Sequence, residues 1–168
     1  MRASNIKYIV IHCTAGFGGR AIVENHWKKL GWKNVGYHRL IELNGQIHKL
    51  SSFENDTNGV LGYNPECIHI SYVGGVDKNN PAIAKDTRTE IQKQAIISCI
   101  KEALDWLKLN NIDITKITIL GHRDFSDDKN KNGVIDPNER IKECPSFDAM
   151  PEYLHFTGQR IVPKNKIK

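Results

Sequence analysis

From Lys7 to Cys13 the chain runs Lys7-Tyr8-Ile9-Val10-Ile11-His12-Cys13, apolar on both alternating faces and rich in β-branched residues, which suits a central strand covered on both sides. A histidine near its end is conspicuous. After Gly16, Gly18 and Gly19 the pattern predicts a helix from about Ala21 to Leu30, with Ile22, His26, Trp27 and Leu30 on one stripe and Gly31 as terminator. Tyr37 to Leu43 and Gln46 to Leu50 flank Asn44-Gly45, a pair favoured where both turn positions need positive φ, so an antiparallel hairpin is expected. Ser51 to Pro65 is polar and turn-rich, a loop by composition, and Cys67 to Val73 reads as another strand ending at Gly74-Gly75.

Thr87-Arg88-Thr89-Glu90 has capping-box spacing, and Ile91, Ala95, Ile96, Cys99, Ile100, Ala103, Leu104 and Leu107 then recur at helical intervals. Lys116 to Leu120 is a short apolar strand closed by Gly121-His122. A long polar loop follows to Cys144-Pro145, and Ser146 is expected to cap a last helix through Met150 and Tyr153. Strands and helices mix without a regular βαβ alternation, so the expected fold is α/β, a single mixed β-sheet flanked by helices.

A length of 168 residues fits one domain, read as residues 1–157 followed by a basic tail, 158–168. With 39% hydrophobic and 26% charged residues, wholesale disorder is excluded. No apolar run approaches the roughly eighteen residues needed to span a bilayer, so no membrane insertion is expected. The net charge of +5 is concentrated in Arg160, Lys164, Lys166 and Lys168 of an acid-free tail, which leaves a nearly neutral body and argues against a nucleic-acid partner. Met1 to Asn5 leads straight into strand-like sequence without the apolar stretch of a secretory signal, so synthesis in the cytoplasm is expected, as a monomer. Cys13, Cys67, Cys99 and Cys144 have no disulfide-framework spacing; reduced thiols are the default, with Cys13 and Cys99 read as core residues.

His12 and His122 each terminate a predicted strand, and Cys144 begins the segment after the long loop. His, His and Cys thiolate are common zinc ligands, and three protein ligands leave one tetrahedral position for water, the mark of a catalytic site. The pattern has no local spacing, and a strand-end histidine can equally be a plain hydrogen-bonded residue. The segments Ile9-Val10-Ile11-His12-Cys13-Thr14-Ala15, Val35-Gly36-Tyr37-His38, Tyr72-Val73-Gly74-Gly75, Leu120-Gly121-His122-Arg123-Asp124 and Lys142-Glu143-Cys144-Pro145-Ser146-Phe147-Asp148 together resemble, in order, the motifs of the zinc-dependent N-acetylmuramoyl-L-alanine amidases, which include phage lysozyme-type amidases and peptidoglycan recognition proteins.

The resemblance implies zinc bound by His12, His122 and Cys144, with Tyr37 and Lys142 as the catalytic tyrosine and lysine. It implies hydrolysis of the lactyl-L-alanine amide of peptidoglycan, or of muropeptides, reached after lysis, by non-classical release, or in the cytoplasm. His38 is expected to face away from Tyr37, in a structural or supporting part. The alternative within the same fold is a peptidoglycan-binding module that does not cut. Non-catalytic relatives typically lose the cysteine ligand, which is present here. A third reading, a calcium-binding interaction protein, explains one loop and none of the other motifs.

The sequence departs from the resemblance twice. Where phage members carry a histidine shortly before Gly-Tyr-Asn, Gly59 stands ahead of Gly62-Tyr63-Asn64. Between His122 and Cys144, the twelve residues from Asp128 to Glu139 match an EF-hand calcium loop. Asp128, Asn130 and Asn132 would offer side-chain oxygens, Val134 its carbonyl, Asp136 a direct or water-mediated oxygen, and Glu139 a bidentate carboxylate around Gly133. The flanking helices of an EF-hand are not evident. The reading that competes with calcium is a metal-free loop held by Asn/Asp turns.

Overall fold

The computed structural model describes residues 2–159. The basic tail cations Arg160, Lys164, Lys166 and Lys168 lie outside the described residues. Of the segment read as tail, Gly158 and Gln159 belong to the folded body: Gln159 Nε2 donates to the carbonyls of Thr115 and Ile117 at 2.7 and 2.9 Å.

The regular elements are β1 (Tyr8–Cys13), α1 (Arg20–Lys29), β2 (Arg39–Ile41), β3 (Ile47–Lys49), β4 (Cys67–Tyr72), α2 (Glu90–Leu109), β5 (Thr118–Gly121) and α3 (Ala149–Tyr153). The strands form one mixed sheet in the order β3-β2-β4-β1-β5, parallel except for the β2/β3 hairpin. Strand β1 lies between β4 and β5, as its two-sided apolar pattern requires. Alternation then divides its side chains. Ile9, Ile11 and Cys13 join Ile68, Ile70 and Tyr72 of β4 in the main core, against Ile96, Ile100, Leu104 and Leu107 of α2. Val10 points the other way and packs with Val60, Cys67 and Leu120. His12 follows Val10 onto that second face at the carboxyl end of the strand.

Four local expectations are corrected. The hairpin turn is not one in which both Asn44 and Gly45 take positive φ; only Gly45 does, at +83°. Gly45 N–H donates to Glu42 O and Glu42 N–H to Gln46 O, both at 2.9 Å, so the chain makes a turn followed by a left-handed glycine, and the strands shorten to three residues each. Helix α1 buries only Trp27 of its expected stripe. Ile22 is 64% exposed and Leu30 51%, because the helix rests on the body through Trp27, stacked on Trp32 and set edge-on to Tyr37.

The cap of α2 is Thr89, not Thr87: Thr89 Oγ1 accepts from Gln92 N–H at 3.1 Å and Gln92 Oε1 from Thr89 N–H at 3.0 Å. Thr87 instead accepts from Gly75 N–H at 2.8 Å. This leaves Ile91 59% exposed on the first turn, while the rest of the predicted stripe is buried. The last helix is capped at Asp148, and Ser146 Oγ donates to Gly75 O at 2.6 Å.

Candidate metal centre

Strands β1 and β5 run parallel with Ile11 opposite Gly121, so His12 and His122 emerge side by side at the same end of the sheet, their ring centroids 4.9 Å apart. The segment carrying Cys144 is fastened to both strand ends. Arg123 N–H donates to Cys144 O at 2.8 Å, and Cys13 N–H donates to Cys144 Sγ at 3.2 Å. The Arg123 side chain, buried, pairs with Asp148 just before α3, and Asp124 Oδ2 accepts from Gly121 N–H at 2.7 Å. The residues beside His122 are therefore the clamp that brings Cys144 to the histidines.

One donor atom each from His12, His122 and Cys144 lies within 4.8 Å of the others, the only such His/Cys/Asp/Glu cluster among the described residues. His12 Nδ1 is 3.7 Å from Cys144 Sγ. Tetrahedral coordination with ordinary zinc–nitrogen and zinc–sulfur bonds separates such atoms by about 3.6 Å, so the donor set fits zinc in chemistry and spacing. Burial holds His12 well below the ordinary histidine range, with His69, His122 and Lys142 adding to the effect. Burial and then Lys142 bring His122 down to about 4. Both rings are neutral at pH 7, with lone pairs available to a metal. Burial pushes the Cys144 thiol up, and its hydrogen bond to Cys13 pulls the Cys13 thiol down to about 7. Cys13 is thus buried as expected, but also a direct neighbour of the metal donors.

Tyr37 lies just before β2, its ring 5.2 Å from that of His12. Burial, reinforced by Cys144 and Cys13, raises its phenol well above the usual range against the opposing pull of the Ser71 hydroxyl, so it remains an O–H donor. Lys142 is exposed. With His122 it lines an open groove of about 620 Å³ walled by Trp32, Leu61, Tyr63 and Ile141. His38 is fully buried, its Nδ1 accepts from His69 N–H at 2.9 Å, and its Nε2 lies 3.0 Å from Asn55 O.

His69 was not singled out from the sequence. Its Nδ1 stands 3.0 Å from His12 Nε2. The available signal was a histidine in the middle of a strand otherwise reading as buried, where a polar ring needs a hydrogen-bond partner.

The twelve-residue loop gathers most of its expected ligands by hydrogen bonds to one another. Asp128 accepts from the N–H groups of Asn132 and Gly133, buried Glu139 from those of Asn130 and Asp136, and Asp136 Oδ2 from the side-chain amides of Asn130 and Asn132. The Val134 side chain is exposed. No long helix flanks the loop; short 3-10 turns, His122–Phe125 and Pro137–Glu139, stand on either side.

Residues 2–144 match the family described as N-acetylmuramoyl-L-alanine amidase, and the chain belongs to that family. It is 30% identical over 146 residues to the endolysin of Klebsiella phage KP32, covering 83% of this chain and 80% of that protein. Its fold is shared with the N-acetylmuramoyl-L-alanine amidase LysC from Clostridium intestinale, with a TM-score of 0.64 at 21% identity over 93% of this chain and 87% of the other. It is shared also with bumblebee PGRP-SA, with a TM-score of 0.62 at 16% identity over 88% and 80%. Among the described residues, no helix is long and apolar enough to cross a membrane.

Proposed function

We propose that this amidase is zinc-dependent, with His12, His122 and Cys144 as ligands and Tyr37 and Lys142 as catalytic residues, and that it cuts the lactyl-L-alanine amide of cell-wall peptidoglycan. The observation that carries the reading is the convergence of two neutral imidazoles and a thiol within 4.8 Å at one end of the sheet. Bound there, zinc supplies a Lewis acid that brings the pKa of water toward ~7. The chain's own groups do the rest. Cys13 N–H steadies the Cys144 sulfur, and the Tyr37 phenol, protonated throughout the neutral range, donates a proton at the reacting amide. Lys142, on the groove beside His122, places a positive charge where the carbonyl oxygen gains negative charge. The open apolar wall of the groove offers a seat for the sugar and peptide flanking the scissile bond.

The Asp128–Glu139 loop has no comparable support as a calcium site. Its carboxylates are satisfied by the loop's own amides, and the proposed function needs no ion there.

Digestion of purified sacculi followed by mass spectrometry tests the reading. The expected products are glycan with free lactyl groups and stem peptides with a free L-alanine amine; chelation should abolish them and stoichiometric zinc restore them. Cleavage at another bond, or full activity in the chelated protein, would overturn it.

A further inference from the structure

We propose that His69 is a positioning residue for this reaction: its imidazole sets the tautomer and aim of His12, and Gly59 keeps open the space it occupies. The inference rests on the zinc site proposed above.

The two ring nitrogens of His12 face different partners. Nδ1 looks toward Cys144 Sγ at 3.7 Å, and Nε2 toward His69 Nδ1 at 3.0 Å. A histidine ligand must present a nitrogen without a proton. If Nδ1 is the ligand atom, the proton of the neutral ring resides on Nε2 and is donated to His69 Nδ1. His69 must then be the tautomer protonated on Nε2. The reverse assignment would point an N–H of His12 at the thiol sulfur and leave no lone pair for the metal. A second imidazole in this location selects the ligating form of the first, as the outer partners of metal-bound histidines generally do.

The sheet register makes the contact. His12 lies opposite Ser71 and Val10 opposite His69, so His69 shares the face of β4 that carries Ser71 and sits one pleat behind His12. It is fully buried, and His38 packs against it with ring centroids 6.0 Å apart and planes at 24°. His38 also receives the His69 backbone N–H and returns its own N–H to His69 O at 2.9 Å. Backbone and ring are thus both fixed.

Gly59 completes the arrangement from the loop that covers this face. A Cβ at Gly59 would lie 2.4 Å from both Cγ and Nδ1 of His69, closer than any real contact. Its backbone is not in the left-handed region, so space rather than conformation demands glycine here. The atom that a side chain at position 59 would strike is the one that accepts from His12.

The test uses full-length, zinc-loaded protein and its variants. In wild type, ¹⁵N NMR of the imidazoles should find His12 and His69 both protonated on Nε2, with His69 Nδ1 as acceptor. His69→Phe keeps a ring without the acceptor; its zinc affinity, by competition with a chromogenic chelator, should fall roughly 10–100-fold, and its cobalt-substituted spectrum should change. In His69→Asn, Oδ1 stands near the position of Nδ1 and should recover part of that affinity. Gly59→Ala should weaken zinc in wild type and add nothing further in His69→Ala, where Cγ and Nδ1 are both gone.

A proton on His69 Nδ1, or wild-type zinc affinity and cobalt spectrum in His69→Phe, would overturn the proposal while leaving the zinc site intact. Zinc binding indifferent to both His12→Ala and Cys144→Ser would instead remove the site on which it rests. The NMR assignment is made on wild type, so a variant that fails to fold does not shield the proposal.

Discussion

Tyr37 and Lys142 flank the metal donors in different physical states, and each state calls for its own test. Tyr37 is packed between His12 and Trp27, so Tyr37→Phe preserves those ring contacts and removes only the proton donor. Turnover should fall by roughly 10²–10⁴-fold with zinc content unchanged. Equal turnover at equal zinc content would assign Tyr37 to packing. Lys142 is exposed, and its proposed role is electrostatic. Lys142→Met should lower kcat by about 10²–10³-fold, with a much smaller effect on KM, because its proposed target is charge that develops only in the transition state. A rise in KM alone would make it a substrate-binding group.

At this scale the candidate metal ligands were legible because histidine and cysteine at strand and loop ends are chemically conspicuous and stood in motif order. His69 was not, because a histidine inside a strand declares nothing until the register sets His12 beside it. Nor did the sequence indicate that Cys13, one residue from the candidate ligand His12, would present its N–H to the Cys144 sulfur.

Among the elements, β2 shows how a short strand is held in place. Arg39 is almost wholly buried, with Nε and Nη2 on the two oxygens of Glu102 of α2 at 2.8 and 3.0 Å, Nη1 on the carbonyls of His38 and Ser51, and its guanidinium over Phe53. The contact anchors the chain immediately after Tyr37 to the long helix. Arg39, followed by Lys49, holds the Glu102 carboxyl below its ordinary range against the opposing effect of burial. A lowered folded-state pKa means that the unfolded chain takes up the proton first. The stabilisation is therefore present above about pH 4.5 and lost as pH falls through the folded-state value. Chemical denaturation of wild type and Glu102→Gln should give curves that differ at neutral pH and converge as pH falls through the lowered folded-state value. A gap of constant size across that range would mean that the carboxylate charge is not what matters.

The long helix and the central strand were legible because each satisfies its own periodicity over many residues. Strand β2 is shorter than predicted because Glu42 already belongs to the turn that closes on Gly45, and because at the other end the backbone pairing stops at His38, whose N–H donates to His69 O and whose carbonyl accepts from Leu50 N–H. The stripe on α1 misled for another reason: a helix tethered mainly by one tryptophan need not bury the rest of its apolar residues.

Across the whole molecule, the candidate metal centre joins parts that the chain keeps far apart. His12 ends β1, His122 follows β5, and Cys144 precedes α3 with the long loop between. Local patterning could not specify that meeting; parallel pairing of β1 with β5 and the Arg123 clamp produce it. A ligand that binds only the folded arrangement stabilises it by mass action. Free zinc at about a thousand times its dissociation constant contributes about 4 kcal/mol, which in a protein of this size corresponds to a Tm shift on the order of 10 °C. Chelation should therefore lower Tm by roughly that amount and readdition of zinc restore it. Cys144→Ser, with a neutral hydroxyl in place of a soft thiolate, should show a much smaller response to either treatment. Because the sheet and α2 contain most of the buried apolar residues, the metal-free protein should keep its far-ultraviolet circular dichroism at low temperature, with the loss confined to the thermal margin. If chelation left Tm unchanged in wild type, the three donors would not be joined by a metal in solution; if it unfolded the chain outright, the core alone would not sustain the fold.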